Sequence, residues 1–289
     1  MPELPEVETV RIGLNQLLPG KKIDNVWSDW VKSFPNAKSD VAQFLIGAKI
    51  IQAQRRAKLL LISLSSNYSL VIHLKMTGQL VFRGKQNFGG GHPSNSLVGS
   101  LPDKSTRVIL SFKDGGKLFF NDQRKFGWMR LLPSAEVPNI DFMKKLGPEP
   151  LGAGFSKAQF QQRVQRRPNS AIKAVLLDQT VIAGIGNIYA DESLWGSKIH
   201  PATAVNKLSS QKLGVLFKAI QEVLNLSIEL GGSSDRNYVD AEGKKGSYLK
   251  FAKVFRLQGQ PCPRCGTPII KIRVAGRGTH ICPKDQRLI

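Results

Sequence analysis

Apolar residues recur at helical spacing at the start of the chain. Val7, Val10, Leu14 and Leu17 lie three or four positions apart, and Pro19-Gly20 closes the run. Pro5 suits a first helical turn, and Glu6 and Glu8 fall where a helix N-terminus favours anions. The period then changes. From about residue 22 to 132 the chain reads as short strands, clearest at 59–64, 70–74, 107–112 and 117–121, with Asp114-Gly115-Gly116 as a hairpin turn. Residues 86–100, rich in Gly, Asn and Ser, are expected to form a mobile loop. Helical signals begin at Ser156, which can cap a helix through Arg167; Asn169 or Ser170 can cap a second through Asp178. A third helix follows Asn187 and a fourth covers about 209–230. The last thirty residues return to a β pattern around Ala275-Gly276-Arg277-Gly278, and no internal repeat is evident. The expected class is α+β, with a mostly β domain over 1–133, a linker with several prolines over 134–154, a helical domain over 155–250 and a β-hairpin segment over 251–289.

Composition narrows the partner. The 289 residues are enough for two domains, and 42 Lys and Arg against 21 acids give a net charge of +21. Such an excess points to a polyanion, above all nucleic acid. A membrane surface fits poorly, because no basic amphipathic helix dominates and no apolar run reaches about 18 residues. The acidic start has no apolar signal segment, and the three cysteines, clustered from 262 to 282, do not suggest a disulfide scaffold. The expectation is a cytoplasmic, monomeric DNA- or RNA-binding protein.

Several segments carry candidate chemistry. Removal of Met1 would leave Pro2 with a secondary amine of pKa about 7.7–8.0, partly unprotonated at neutral pH. An amine beside the Glu3 carboxyl suits attack on a sugar C1′ with formation of a Schiff base, although the same residues could be a plain acidic tail. Gly184-Ile185-Gly186-Asn187 could bring backbone N–H groups and an amide to a phosphate, or be a tight interhelical turn. Arg124-Lys125-Phe126 could enter a base stack around an extruded nucleotide, or be a β-turn with solvated cations. Met76 could be exposed or buried, and Lys58 could contact a phosphate or shuttle a proton, or lie on a solvated strand edge. Cys262 and Cys265, sixteen residues, then Cys282 and Asp285 reproduce a zinc-ligand spacing with a carboxylate in the fourth position. A metal-free hairpin held by Ile269, Ile272 and Ile281 is the alternative. Either way Arg277 projects between two glycines.

Taken together, PELPEVET, RRAKLLL, HLKMTGQL, ND-x-RKFG, LGPEPL, AIKAVLLDQ, AGIGNIYADE and the terminal GRGTH run through nearly the whole chain in one order. The chain thereby resembles the bacterial formamidopyrimidine-DNA glycosylases. The resemblance implies an N-terminal β-sandwich flanked by helices, a helix-two-turn-helix domain and a C-terminal zinc-finger-like hairpin holding one structural Zn2+. It implies base excision repair: release of oxidised purines from duplex DNA, then strand cleavage by β,δ-elimination, with DNA as the partner. Pro2 would be the nucleophile, Glu3 the acid, Glu6 its support, Lys58 the group for β-elimination, and Arg277 the phosphate holder that assists δ-elimination. Asn187 would bind the phosphates flanking the lesion. Met76, Arg124 and Phe126 would fill the void in the duplex, Arg124 pairing with the orphaned cytosine, and residues 231–248 would cap the lesion. Leu4 favours this branch over the endonuclease VIII branch, which typically begins PEGPE and prefers oxidised pyrimidines. The chain departs from the family at Asp285, at Ser105, where a DNA-contacting histidine is usual and Lys104 or Arg107 could substitute, and at Arg166-Arg167, where Arg167 could replace a lysine. A pyrimidine-specific glycosylase and a non-catalytic binder of damaged DNA remain the rival readings.

Overall fold

A computed structural model of the chain describes residues 2–92, 94–233 and 247–289. It divides into two compact units, Met1–Lys144 with Ile228–Ser247, and Lys145–Ser227 with Tyr248–Ile289.

The first unit opens with α1 (Leu4–Leu17), whose buried Val7, Val10 and Leu14 join one core cluster. Nine strands follow: β1 (Ile23–Ser28), β2 (Ile50–Arg56), β3 (Leu59–Leu64), β4 (Tyr68–His73), β5 (Gly78–Arg83), β6 (Phe88–Gly91), β7 (Thr106–Phe112), β8 (Lys117–Asp122) and β9 (Trp128–Pro133). They form two antiparallel sheets, ordered β1-β7-β8-β5-β6 and β2-β3-β4-β9. Alternate residues of both sheets meet in the shared core: Leu60, Ile62, Leu70 and Ile72 from one, Leu80, Phe82, Val108 and Phe120 from the other. Their neighbours Val81 and Phe119 pack on the opposite face with Leu97. This is the expected β-sandwich. Between β1 and β2 lie α2 (Lys38–Asp40) and a π-helical turn, Val41–Leu45.

The expected mobile loop at 86–100 is instead structured, as β6 and a 3-10 turn, Asn95–Leu97. Its glycines give no local strand signal. The order comes from the ladder to β5 and from Phe88, buried so closely on α1 that a Cβ on Gly13 would lie 2.2 Å from its ring.

In the second unit, α3 (Asp141–Lys145) at the boundary precedes α4 (Lys157–Gln165), α5 (Ile172–Leu177), α6 (Asn187–Gly196) and α7 (Ser210–Glu229). Ser156 caps α4 through a reciprocal box with Gln159; the helix ends before Arg167 because Pro168 cannot continue it. Neither Asn169 nor Ser170 caps α5. Its N-cap is Ala171, and tertiary carbonyls take the place of a capping side chain: Ile172 N–H donates to Thr203 O at 2.9 Å and Lys173 N–H to Pro201 O at 3.1 Å. The hairpin β10 (Ile270–Val274) and β11 (Arg277–Ile281) turns at Ala275 and Gly276, both at positive φ (49° and 73°), the backbone that a tight two-residue turn requires.

Candidate active site and metal centre

The first turn of α1 is built around two glutamates. Glu3 is the N-cap, and its N–H donates to Glu6 Oε2 at 2.8 Å. The other oxygen of Glu6 accepts the N–H of Ser233 at 2.7 Å. Gly232, at φ +85°, lets the backbone approach so closely that a Cβ would lie 3.2 Å from Glu6 Cγ. Glu6 therefore fastens the chain's start to the segment entering the expected capping loop; residues 234–246 of that loop lie outside the described residues. Pro2 and Glu3 are buried.

Lys58, also buried, occupies the turn between β2 and β3, where Ala57 sits at φ 53°. Its charge is felt at His73. Burial first, then Lys75 and Lys58, push the His73 imidazole from 6.5 down to about 3. His73 Nδ1 accepts the Lys75 N–H at 3.0 Å, and the ring packs edge-on to Trp128 and Phe142. His92, just beyond β6, donates its N–H to Gly78 O at 3.0 Å. Burial lowers its pKa against the opposing pull of Asp122.

Two turns at the same end of the five-stranded sheet expose apolar side chains. Met76 is 38% exposed and Phe126 54%, and the Arg124 guanidinium lies 4.9 Å from the Phe126 ring centroid. Surface aromatics interleaved with cations are what base stacking uses. Lys104 is exposed nearby in sequence, whereas Ser105 is buried and spends its hydroxyl on Asp103 Oδ1 at 2.6 Å. Arg107 is not available as a substitute contact. It is buried, with Nε on Asp122 O at 2.9 Å, Nη2 on Lys104 O at 2.5 Å and Nη1 paired with Asp29, so sheet packing rather than DNA uses its donors.

In the second unit, Gln179 shapes the glycine turn before α6: its amide donates to Leu177 O and Ile185 O, and its oxygen accepts the Gly184 N–H at 2.9 Å. At the N-terminus of α6, Asn187 Nδ2 donates to Gly278 O at 3.0 Å, beside the exposed Arg277. A buried ion pair holds this arrangement. Lys173 Nζ lies 2.5 Å from Asp191 Oδ1, 2.7 Å from Thr279 Oγ1 and 3.4 Å from Gly278 O, and Asp191 Oδ2 accepts the His280 N–H at 2.9 Å. Thus α5, α6 and β11 are locked together, and Asn187 and Arg277 are presented side by side. Arg167 is half exposed with a 3.3 Å contact to Asp178.

Cys262, Cys265, Cys282 and Asp285 place one ligand atom each within 4.8 Å of one another. Cys265 Sγ and Cys282 Sγ are 3.4 Å apart, and Cys262 Sγ is 4.0 Å from Asp285 Oδ2. A tetrahedral zinc ion asks for ligand separations of about 3.5–3.8 Å, given bonds of about 2.0–2.3 Å. Thr267 hydrogen bonds hold the Cys265 thiol down at about 7, and burial pushes Cys282 up to about 11. Arg264 reaches Asp285 Oδ2 at 3.1 Å, donates to Trp195 O at 3.0 Å and stacks 3.9 Å from the Trp195 ring centroid. The residues fit the ion, with a guanidinium offsetting the surplus negative charge of the ligand set.

Three family models match in order: the formamidopyrimidine-DNA glycosylase N-terminal domain over residues 1–129, the formamidopyrimidine-DNA glycosylase H2TH domain over 146–238, and the zinc finger found in FPG and IleRS over 259–287. The chain belongs to the formamidopyrimidine-DNA glycosylase family. It is 42% identical over 286 residues to a formamidopyrimidine-DNA glycosylase of Ligilactobacillus salivarius, covering 99% of each chain. It is also 42% identical over 288 residues to one of Pediococcus pentosaceus, covering 100% of each. Among solved structures it is similar to the Lactococcus lactis Fpg in complex with abasic-site DNA, at TM-score 0.87 and 36% identity over 99% of each chain. A MutM bound to carbocyclic 8-oxo-G DNA gives TM-score 0.86 and 35% identity over 99% of this chain and 100% of that one. The matched finger and the cluster of three cysteines with Asp285 support one structural zinc.

Against the family expectation, the first unit brings Glu3, Glu6 and Pro2 onto one helix start and Met76, Arg124 and Phe126 onto adjoining turns. The second unit pairs Asn187 with the Arg277 hairpin. His92, Asp122, the Lys173–Asp191 pair and the Arg264–Trp195 contact gave no usable sequence signal, because each acquires its meaning from a partner far away in the chain. Among the described residues no helix is long and apolar enough to cross a membrane.

Proposed function

We propose that the protein is a bifunctional DNA glycosylase and AP lyase that removes oxidised purines, 8-oxoguanine and formamidopyrimidines among them, from duplex DNA in base excision repair. The observation that carries this reading is the start of the chain, where Pro2 and Glu3 are buried just ahead of α1 and the Glu3 backbone is tied to Glu6, in a member of a glycosylase family. An amine held in this way meets its target with little orientational freedom left to lose. After Met1 is removed, the Pro2 nitrogen attacks C1′ of the extruded nucleotide. Glu3 delivers a proton as the sugar ring opens and the base departs, leaving a proline iminium on C1′. The iminium acidifies C2′; loss of that proton breaks the C3′–O bond, and a second elimination breaks C5′–O, with Lys58 and Arg277 serving these steps. Asn187, Arg277, Arg167 and Lys104 hold phosphates, while Met76, Arg124 and Phe126 occupy the void. Zinc supports the finger that carries Arg277 and takes no part in the chemistry. The reading places a monomer on chromosomal DNA in the cytoplasm.

Borohydride reduction tests it on duplexes carrying 8-oxoguanine opposite cytosine or thymine glycol. A reduced adduct mapped to Pro2 on the 8-oxoguanine duplex, lost in Pro2→Gly with binding retained, is the expected result. An adduct on thymine glycol alone transfers the protein to the pyrimidine-specific class, and binding with no adduct on either duplex makes it a binder.

A further inference from the structure

The residues proposed to fill the duplex come from two separate turns, 74–77 with Met76 and 123–127 with Arg124 and Phe126. These turns adjoin because Gly78, opening β5, pairs with Asp122, closing β8. At that position the Asp122 carboxylate is fully buried. One oxygen, Oδ1, accepts the hydroxyl of Thr77 and the N–H of Arg124, the latter at 3.2 Å; Oδ2 accepts the N–H of Gly127 at 2.6 Å. The Arg124 N–H is shared with Thr77 Oγ1 at 3.1 Å. A single carboxylate thus closes the second turn at both ends and fastens it to the first.

The surroundings leave that carboxylate little room to move. Arg107 grips its backbone oxygen from below at 2.9 Å. A Cβ on Gly127 would lie 2.7 Å from Phe120 and 3.1 Å from Asp122 Oδ2. On the outer side Lys125, at φ 57°, rests its ammonium 4.7 Å from the centroid of the Trp30 ring. Only a carboxylate accepts all three contacts, since an amide that kept its oxygen on Thr77 and Arg124 would turn its –NH2 toward the N–H of Gly127.

We propose that Asp122 and Thr77 form a clamp that presents Met76, Arg124 and Phe126 as one unit, and that this clamp sets selectivity for the base opposite the lesion. The proposal rests on the reading of Arg124 as the group that pairs with the orphaned base. Both residues are positioning residues. Paired hydrogen bonds to a base edge demand a guanidinium fixed to within about half an ångström, and an Arg124 free of the clamp samples orientations that no longer separate cytosine from adenine.

The test is single-turnover excision of 8-oxoguanine opposite cytosine and opposite adenine by Thr77→Val, Thr77→Ser, Asp122→Asn and Arg124→Ala. Thr77→Val removes the bridging hydroxyl at nearly constant volume; it is expected to lower the cytosine-over-adenine ratio about tenfold, while Thr77→Ser, which keeps the hydroxyl, retains the wild-type ratio. Asp122→Asn moves the ratio in the same direction. An equal fall on both duplexes would leave the ratio unmoved, mean only general structural support, and overturn the proposal. It is equally overturned if Thr77→Val keeps the wild-type ratio while Arg124→Ala abolishes it. If Arg124→Ala itself leaves the ratio intact, the assignment of Arg124 to the opposite base fails, and the clamp's role in selectivity with it.

Discussion

His73 makes the folded protein sensitive to acid in a calculable way. Its ring lies at the end of β4, paired across the sheet with Leu59 and Trp128, and burial followed by the charges of Lys75 and Lys58 brings it to about 3 from the ordinary 6.5. Since Nδ1 already accepts the Lys75 N–H, the ring proton sits on Nε2, and a second proton would have to enter facing a donor. The unfolded chain binds that proton near pH 6.5, so it holds more protons than the folded one throughout the interval down to about 3. The group's contribution is therefore complete above pH 6.5 and is lost as the pH falls toward 3. Between pH 7 and pH 5, at about 1.36 kcal/mol per unit of displacement, the loss attributable to His73 is about 2 kcal/mol. Urea unfolding at the two pH values, in wild type and His73→Asn, isolates it, because all other titrations are common to both proteins. The wild type should lose about 2 kcal/mol more than the variant over that interval, and the His73 ring signals in NMR should report a neutral ring at pH 5. A ring that titrates near 6.5, or an equal pH loss in both proteins, would refute the reasoning.

Three further outcomes follow from the packing. Gly127→Ala forces a methyl against Phe120 and the carbonyl of His73, and should cost about 1–3 kcal/mol, seen as a lower thermal midpoint. Lys173→Met strands the fully buried Asp191 charge, for a loss of about 3–5 kcal/mol in chemical denaturation; adding Asp191→Leu should recover much of it, and a double variant no better than the single one would contradict the ion-pair argument. Arg264→Ala releases Asp285, the candidate fourth ligand, from its partner, so competition with a colorimetric zinc chelator should show affinity about 10–100-fold weaker with the fold retained, whereas an unchanged affinity would refute a supporting role for the Arg264–Asp285 contact.

Much of the site was legible because its parts are local. The Pro5 start and the spacing of Val7, Val10 and Leu14 define α1, the Ala275-Gly276 pair sets the hairpin that carries Arg277, and the cysteine spacing marks the finger, all within short stretches. Where expectation failed, a distant partner outweighed the local signal. Gly89-Gly90-Gly91 reads as a loop until β5 supplies its ladder and α1 accepts Phe88. Arg107 reads as a surface cation until Asp29 and two carbonyls claim its guanidinium. Asn169 and Ser170 read as caps until backbone carbonyls of residues 201 and 203 satisfy the first amides of α5.

The sequence by itself indicated the class of chemistry, because a candidate amine nucleophile, its neighbouring carboxyl, a metal-ligand spacing and a strong positive charge are properties of residue types and near neighbours. Tertiary structure decided which groups remain available to a substrate. Met76 and Phe126 stay exposed while Arg107 and Lys173 are buried and paired, and Asp122 joins two turns that are 45 residues apart in the chain. That division is physical: backbone propensity and covalent spacing act over a few residues, whereas burial and hydrogen-bond satisfaction are settled only when the strands pair and the core closes.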